Sequence, residues 1–381
     1  MDKNLSNEPN GQNEYPEPNE QGDSNEHHEP NEHLDPNEQG EPNEPDGKAK
    51  LKAYKAVCAK LGLIMSLYYV CRTLNMYITG WVGGFTYEIG NNAVDIINMT
   101  VTIILAYIVP MIVTAIVLKS FSFYGRNGGG RALYKKPRRL ARALGTFPAM
   151  YGLGYGTALL TLLAAFLLTL LTGGQTLLED LFKPTVMEPS SSLVGALLIV
   201  FVMVVIAPIF EEFWVRGMMY DALKPYGGGM AIIISSVLFG LLHGSLYMLF
   251  YATALGFALG YVRYATGSLF VPTILHAIFN SVAAGLIFIT TMNEVALDGS
   301  KLLNTVLSIY ILAMLVLIVV GLIAFIKKIP VIKKYRFENE WREIGAGKKT
   351  ALFFVSIPVI IMLVLAVNEH SHGWLFNLLI G

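Results

Sequence analysis

The sequence predicts an all-α polytopic membrane protein of about eight to nine transmembrane helices behind a disordered N-terminal tail, and three observations predict it. Apolar residues make up 54% of the 381 and charged residues only 15%, against about 45–50% and about 25% in soluble domains. Charge is also unevenly placed. Residues 1–47 hold fourteen Asp or Glu against Lys3 alone, a net of −13, while the other 334 residues hold 27 bases against 14 acids. Finally, those 334 residues fall into apolar stretches close to the ~20 residues a helix needs to cross ~30 Å of hydrocarbon. This composition excludes an ordinary soluble globular protein and a nucleic-acid binder. Cys58 and Cys71 share one apolar stretch and form neither a Cys-x-x-Cys nor a Cys/His cluster, so they read as buried thiols.

The tail, residues 1–48, repeats a short acidic unit: Glu17-Pro18-Asn19-Glu20, Glu29-Pro30-Asn31-Glu32, Asp35-Pro36-Asn37-Glu38 and Glu41-Pro42-Asn43-Glu44. Proline removes backbone donors, like charges repel, and almost nothing can be buried, so disorder is expected. It has no apolar core behind a basic start and is not a signal peptide. Helices are expected over roughly 56–78, 96–118, 147–172, 193–222, 230–249, 250–265, 268–290, 302–326 and 350–367. They group into N-terminal helices (49–192), a core (193–290) and C-terminal helices (291–381). Basic residues collect before or at the opening of the first helix (Lys48, Lys50, Lys52, Lys55, Lys60), in 119–142 and in 327–349. Nine spans put all three clusters on one side, which the positive-inside bias makes cytoplasmic.

Ionisable groups inside hydrocarbon cost about 2.5–3.5 kcal/mol each, so each invites a functional question. The fourth stretch contains Glu211, Glu212 and Arg216. Glu212 and Arg216 are four apart with the acid N-terminal, the favourable order for an ion pair. Glu211 points about 100° away, so one carboxylate is neutralised and the other is left for another task. The fifth stretch supplies Phe239 and His243, and the seventh supplies His276 and Asn280, which share a face. Glu211, His243 and Asn280 lie 11 to 13 residues in from the expected helix ends, so three helices bring a carboxylate, imidazoles and an amide to similar depth. Ala252, Gly256 and Gly260, like Gly240 and Gly244, repeat every four residues and allow close helix approach. A packing network of these polar groups explains each signal taken singly.

Glu-Glu-x-x-x-Arg (211–216), Phe-x-x-x-His (239–243) and His-x-x-x-Asn (276–280), in that order, resemble the CPBP family. These are intramembrane glutamic endopeptidases related to the type II CAAX prenyl endopeptidases and also called the Abi family. Thr266-Gly267-Ser268-Leu269 is similar to the turn that precedes the family's third motif. The likeness covers roughly 193–290. It implies that Glu211 holds and activates a water with His243, that His276 and Asn280 stabilise the oxyanion, and that Glu212, Arg216 and Phe239 support them. It implies membrane-associated peptide or protein substrates, of CAAX type or of leader or bacteriocin type, and no nucleic acid. The likeness favours a metal-free glutamate; the depth of these groups from the cytoplasmic helix ends implies a site open to the cytoplasm, in a multi-pass protein expected in a bacterial cell membrane. Zinc is the rival cofactor, disfavoured because no His-Glu-x-x-His is present. A non-catalytic scaffold or immunity protein of the same fold, and less readily a transporter, remain as other functions.

Deleting residues 1–46 should leave the membrane-embedded part folded. Equal yield and thermal midpoint of the truncated protein in detergent would bear this out; a strong loss of folded protein would refute it.

Overall fold

Backbone amides in hydrocarbon must find partners within their own segment, and the described residues meet that demand with helices alone, with no strand among them. The structure, a computed structural model, describes residues 47–85, 89–118, 134, 137, 140–172, 193–295, 301–334, 341 and 343–370. The acidic tail expected to be disordered lies outside them, as does most of the basic stretches 119–139 and 335–340.

The helices are α1 (Gly47–Gly83), α2 (Asn91–Val117), α3 (Phe147–Thr172), α4 (Leu193–Tyr226) and α5 (Gly228–Leu241). They continue with α6 (Leu246–Thr266), α7 (Phe270–Val295), α8 (Lys301–Lys334), α9 (Ala346–Phe354) and α10 (Ile357–His370). Helix therefore stands at every expected stretch, but among the described residues the number long and apolar enough to cross a bilayer is six, or seven if α9 and α10, bent by 67°, make one span. The expected eight to nine separate crossings reduce to this because of α5 and α6. The break between them falls at 242–245, where Gly244 has φ 68° and Ser245 is extended, rather than near 249. The fourteen residues of α5 reach about 21 Å at 1.5 Å each, short of ~30 Å. The two pack along each other as a hairpin.

α4 lies along α7, α3 along α6 and α8, and α1 along α2 and α10. Close approach is built from small residues: a Cβ on Gly152 would overlap the backbone of Gly321, and one on Gly62 would meet that of Pro358 and Val359. Outward faces of α3 and α8 remain apolar and exposed, as with Leu163, Leu171, Leu312 and Val319, the surface a lipid-embedded helix presents.

One end of the bundle is tied by polar contacts. The fully buried Lys349 donates from Nζ to the carbonyls of Tyr226 and of Trp341 (2.9 Å), and Tyr54 donates its hydroxyl to the Lys349 carbonyl at 2.7 Å. Arg263 of α6 pairs with Asp221 of α4 at 3.3 Å. The start of α1, the ends of α4 and α6 and the start of α9 therefore share one end.

α4 is not a uniform helix. Its turns widen to π geometry over Val202–Ile206 and Glu212–Met219, and α2 does the same over Ile103–Ile108. The first and third of these run into prolines, Pro208 and Pro110, which lack an N–H and whose rings crowd the carbonyl four residues back. π turns are often found at functional sites.

Replacing Gly152 with Leu should force α3 and α8 apart and cost about 1–3 kcal/mol or more, the usual penalty of overpacking. A thermal midpoint in detergent equal to that of the unmodified protein would show that the two backbones are not in contact.

Candidate active site

Arg216 organises the centre. Its side chain and that of Glu212 have no exposed surface, and Nη1 donates to Glu212 Oε1 at 2.9 Å. Nη2 donates to the Gly256 carbonyl at 3.1 Å, and the guanidinium carbon stands 4.1 Å from the centroid of the Phe239 ring. Gly256 permits this, since a Cβ there would sit 3.1 Å from Phe239 and 3.2 Å from Arg216 Nη2. The expected four-residue ion pair is thus present, and Phe239 packs against it. Its ring carries the guanidinium and lies 5.0 Å from His243 and 5.5 Å from His276, centroid to centroid.

The two carboxylates differ as expected in their relation to Arg216 but share another partner. His276, only 2% exposed, places Nδ1 3.1 Å from Glu212 Oε1 and Nε2 3.9 Å from Glu211 Oε2. An imidazole bridges what one helix face separates. The Glu211 side chain is 15% exposed, Glu212 not at all. Glu211 Oε1 accepts from the Tyr107 hydroxyl at 3.5 Å, while among the described residues Oε2 has no hydrogen-bond partner.

His243 stands in the turn after α5, not inside a helix as expected. Its Nδ1–H donates to the Phe239 carbonyl at 2.8 Å, which leaves Nε2 as the lone-pair nitrogen of a neutral ring. A helix end leaves its last carbonyls without helical donors, and here each is met. Gly240 accepts from the His243 amide at 3.2 Å, Leu241 from the Tyr69 hydroxyl at 2.8 Å, and Leu242 from both Tyr68 (2.8 Å) and Arg72 Nη1 (2.7 Å).

Asn280 is fixed by a defect in α4. In the π turn the Ala207 amide donates to Val202, and the next residue, Pro208, has no N–H, so the Met203 carbonyl lacks a helical donor. Asn280 Nδ2 supplies one at 2.9 Å. His276 therefore reaches both Glu211 and Glu212, Phe239 packs against His276 and Arg216, His243 joins through Phe239, and Asn280 sits one turn beyond His276. His276 is the residue of the third motif that lies beside Glu211, with Nε2 3.9 Å from Oε2. Among the described residues no three His, Cys, Asp or Glu side chains are grouped as a metal ion would require.

Sequence reasoning missed Tyr107, Tyr68, Tyr69 and Arg72. Arg72 carried the signal used for Glu211, an ionisable group in an apolar stretch; the tyrosines carried none.

Substituting Arg216 by Met should destabilise the fold by about 3–5 kcal/mol, because Glu212 is left buried without its cation. Combining it with Glu212→Gln should recover much of the loss. Thermal unfolding of both in detergent checks this, and additive losses would contradict the pairing.

Residues 193–282 match the family described as Type II CAAX prenyl endopeptidase Rce1-like. No curated protein and no solved structure matches the chain. The matched segment contains Glu211, Glu212, Arg216, Phe239, His243, His276 and Asn280, and excludes Tyr68, Tyr69, Arg72 and Tyr107. This segment supports placing the chain, an integral multi-pass membrane protein, with the CPBP/CAAX protease family.

Proposed function

We propose that the protein is a metal-free intramembrane endopeptidase of the glutamic type that hydrolyses peptide bonds of membrane-associated proteins or peptides. The observation that carries this reading is the unequal state of two adjacent carboxylates. Glu212 is fully buried and its Oε1 takes both Arg216 and His276 at 2.9 and 3.1 Å, while Glu211 is 15% exposed and meets Tyr107 only at 3.5 Å and His276 only at 3.9 Å.

In the proposed reaction Glu211 and Nε2 of His243 hold a water between them. As its oxygen attacks the scissile carbonyl carbon, Glu211 takes one proton and the carbonyl electron pair moves onto oxygen. Asn280 has two amide hydrogens, one spent on Met203, and the other is available to that oxyanion. His276 donates from Nε2 only when both ring nitrogens carry protons. The carboxylates at 3.1 and 3.9 Å are the groups that balance such a charge. Collapse of the intermediate re-forms the carbonyl, breaks the C–N bond and returns the proton from Glu211 to the leaving amine. Donors aimed at a developing oxyanion are worth about 2.7–4 kcal/mol each.

We place the opening of the site on the cytoplasmic side. The α5–α6 hairpin begins and ends at one end of the bundle whether or not it crosses fully, so it leaves the parity of the remaining spans unchanged. The basic clusters before α1, after α2 and after α8 then stay together on the positive, inner side. Substrates of CAAX type, or leader and bacteriocin peptides, fit a site reached from there.

Glu211→Gln and His243→Ala should each lower cleavage by about 10²–10⁴-fold, the range of a lost general base, and Asn280→Ala by about 10²–10³-fold. Proteomics of membranes holding the intact or the Glu211→Gln protein identifies the substrate for these assays. Undiminished turnover by Glu211→Gln removes the proposed base. Loss of activity to chelators, restored by zinc, overturns the metal-free mechanism. An intact protein that cleaves nothing points to a scaffold.

A further inference from the structure

Helix α5 is too short to be held by the bilayer at both ends, yet its final turn carries His243. What holds that turn comes from α1, outside the segment the family shares. Tyr69 donates to the Leu241 carbonyl and Tyr68 and Arg72 donate to that of Leu242, all at 2.7–2.8 Å, while Arg72 also reaches the Tyr68 hydroxyl at 3.2 Å. These are the carbonyls of the two residues preceding His243. A guanidinium at this point also faces the negative end of the α5 dipole.

The same three residues are registered against the carboxylates. The Tyr68 ring packs on Trp214 at 5.4 Å between centroids, and Trp214, two residues from Glu212, donates its indole N–H to Thr114 Oγ1 of α2 at 2.6 Å. One contact chain thus runs from the His243 turn through Leu242, Tyr68 and Trp214 to the helix that bears Glu211. Capping alone would need donors at the carbonyls; it would not need those donors to be packed against the neighbour of the opposing catalytic group.

We infer that Tyr68, Tyr69 and Arg72 form a positioning clamp that holds the His243 turn at a fixed place relative to Glu211. The clamp makes α1 part of the active-site machinery without touching substrate. This inference rests on the endopeptidase reading for its catalytic consequence, though not for its geometry. Misplacing a reacting group by about 1 Å can cost about 10²-fold in rate, so loss of the clamp should appear in kcat and leave KM within about twofold.

The test uses the full chain in detergent with Arg72→Met, Arg72→Lys, Tyr69→Phe and Glu211→Gln. Hydrogen–deuterium exchange of peptides covering 240–247 should be about tenfold faster in Arg72→Met, partly restored in Arg72→Lys, and unchanged for peptides within 54–66. Unchanged exchange at 240–247 overturns the clamp whatever the activity. Cleavage of an internally quenched farnesylated CAAX peptide, or of the substrate found by proteomics, should show kcat lowered about 10–100-fold in Arg72→Met and within about threefold of normal in Arg72→Lys. Normal kcat in Arg72→Met alongside an inactive Glu211→Gln overturns the positioning role while sparing the enzyme reading. Full activity of Glu211→Gln sinks the enzyme reading, and exchange alone then decides the clamp.

Discussion

A guanidinium with no exposed surface cannot stand without an anion beside it, and that constraint orders the middle of this molecule. Arg216 is among the largest fully buried side chains of the described residues, and Glu212 is its counter-ion. The pair consumes one of two neighbouring carboxylates and so makes the other distinct. It also draws in the groups that carry the remaining motifs: the Gly256 carbonyl of α6, the Phe239 ring of α5 and His276 of α7. Four helices converge on one charge because each supplies something that charge requires in a medium without water. The motif spacing is the trace left in sequence by that requirement.

The second source of order is failure of helical hydrogen bonding at chosen places. A regular helix in lipid has no backbone group to offer a neighbour. Pro208 exposes the Met203 carbonyl, which orients Asn280, and the truncated end of α5 exposes Leu241 and Leu242, which α1 takes up. Irregular backbone at membrane depth is tolerated only where protein or a wetted cavity covers it. Each of these two exposed sets of carbonyls meets a named donor, and the widened turn of α2 contains Tyr107, whose hydroxyl reaches Glu211 at 3.5 Å.

Much of this was legible in the sequence, and the limits have physical causes. Glu212–Arg216 could be read because an (i, i+4) pair lies within one helix and needs no knowledge of its neighbours. The His276 bridge could not, because it depends on how far α7 is rotated against α4. The α5–α6 break escaped notice because Leu241, Leu242 and Leu246 keep the apolar run going across it, leaving Gly244-Ser245 as a weak signal. Among nineteen tyrosines, nothing singles out Tyr68, Tyr69 or Tyr107, whose neutral rings suit lipid as well as a site. Arg72 was readable by the same test as Arg216. Charge announces itself in a hydrophobic sequence; hydrogen-bonding aromatics do not.

The short α5 joins these threads. A helix that crossed completely would carry its terminal turn to the far surface, where water would satisfy its carbonyls and no partner from α1 would be required. Stopping after fourteen residues leaves the turn at the level of Glu212, since Phe239 touches Arg216 and His276 there. The carbonyls must then be met by side chains, and α1 meets them. An imidazole placed on that turn is held by two helices and yet lies outside any helix. Its backbone can settle independently of the helical repeat that fixes Glu211 and His276. A hydrolytic site needs a water held between groups on opposing elements, and a side chain on a braced turn can approach that water from a direction no facing helix provides. The shortness of α5 is therefore what places the His243 imidazole beside the Phe239 ring that stacks on Arg216, and the bracing from α1 is what makes that shortness tolerable in the bilayer.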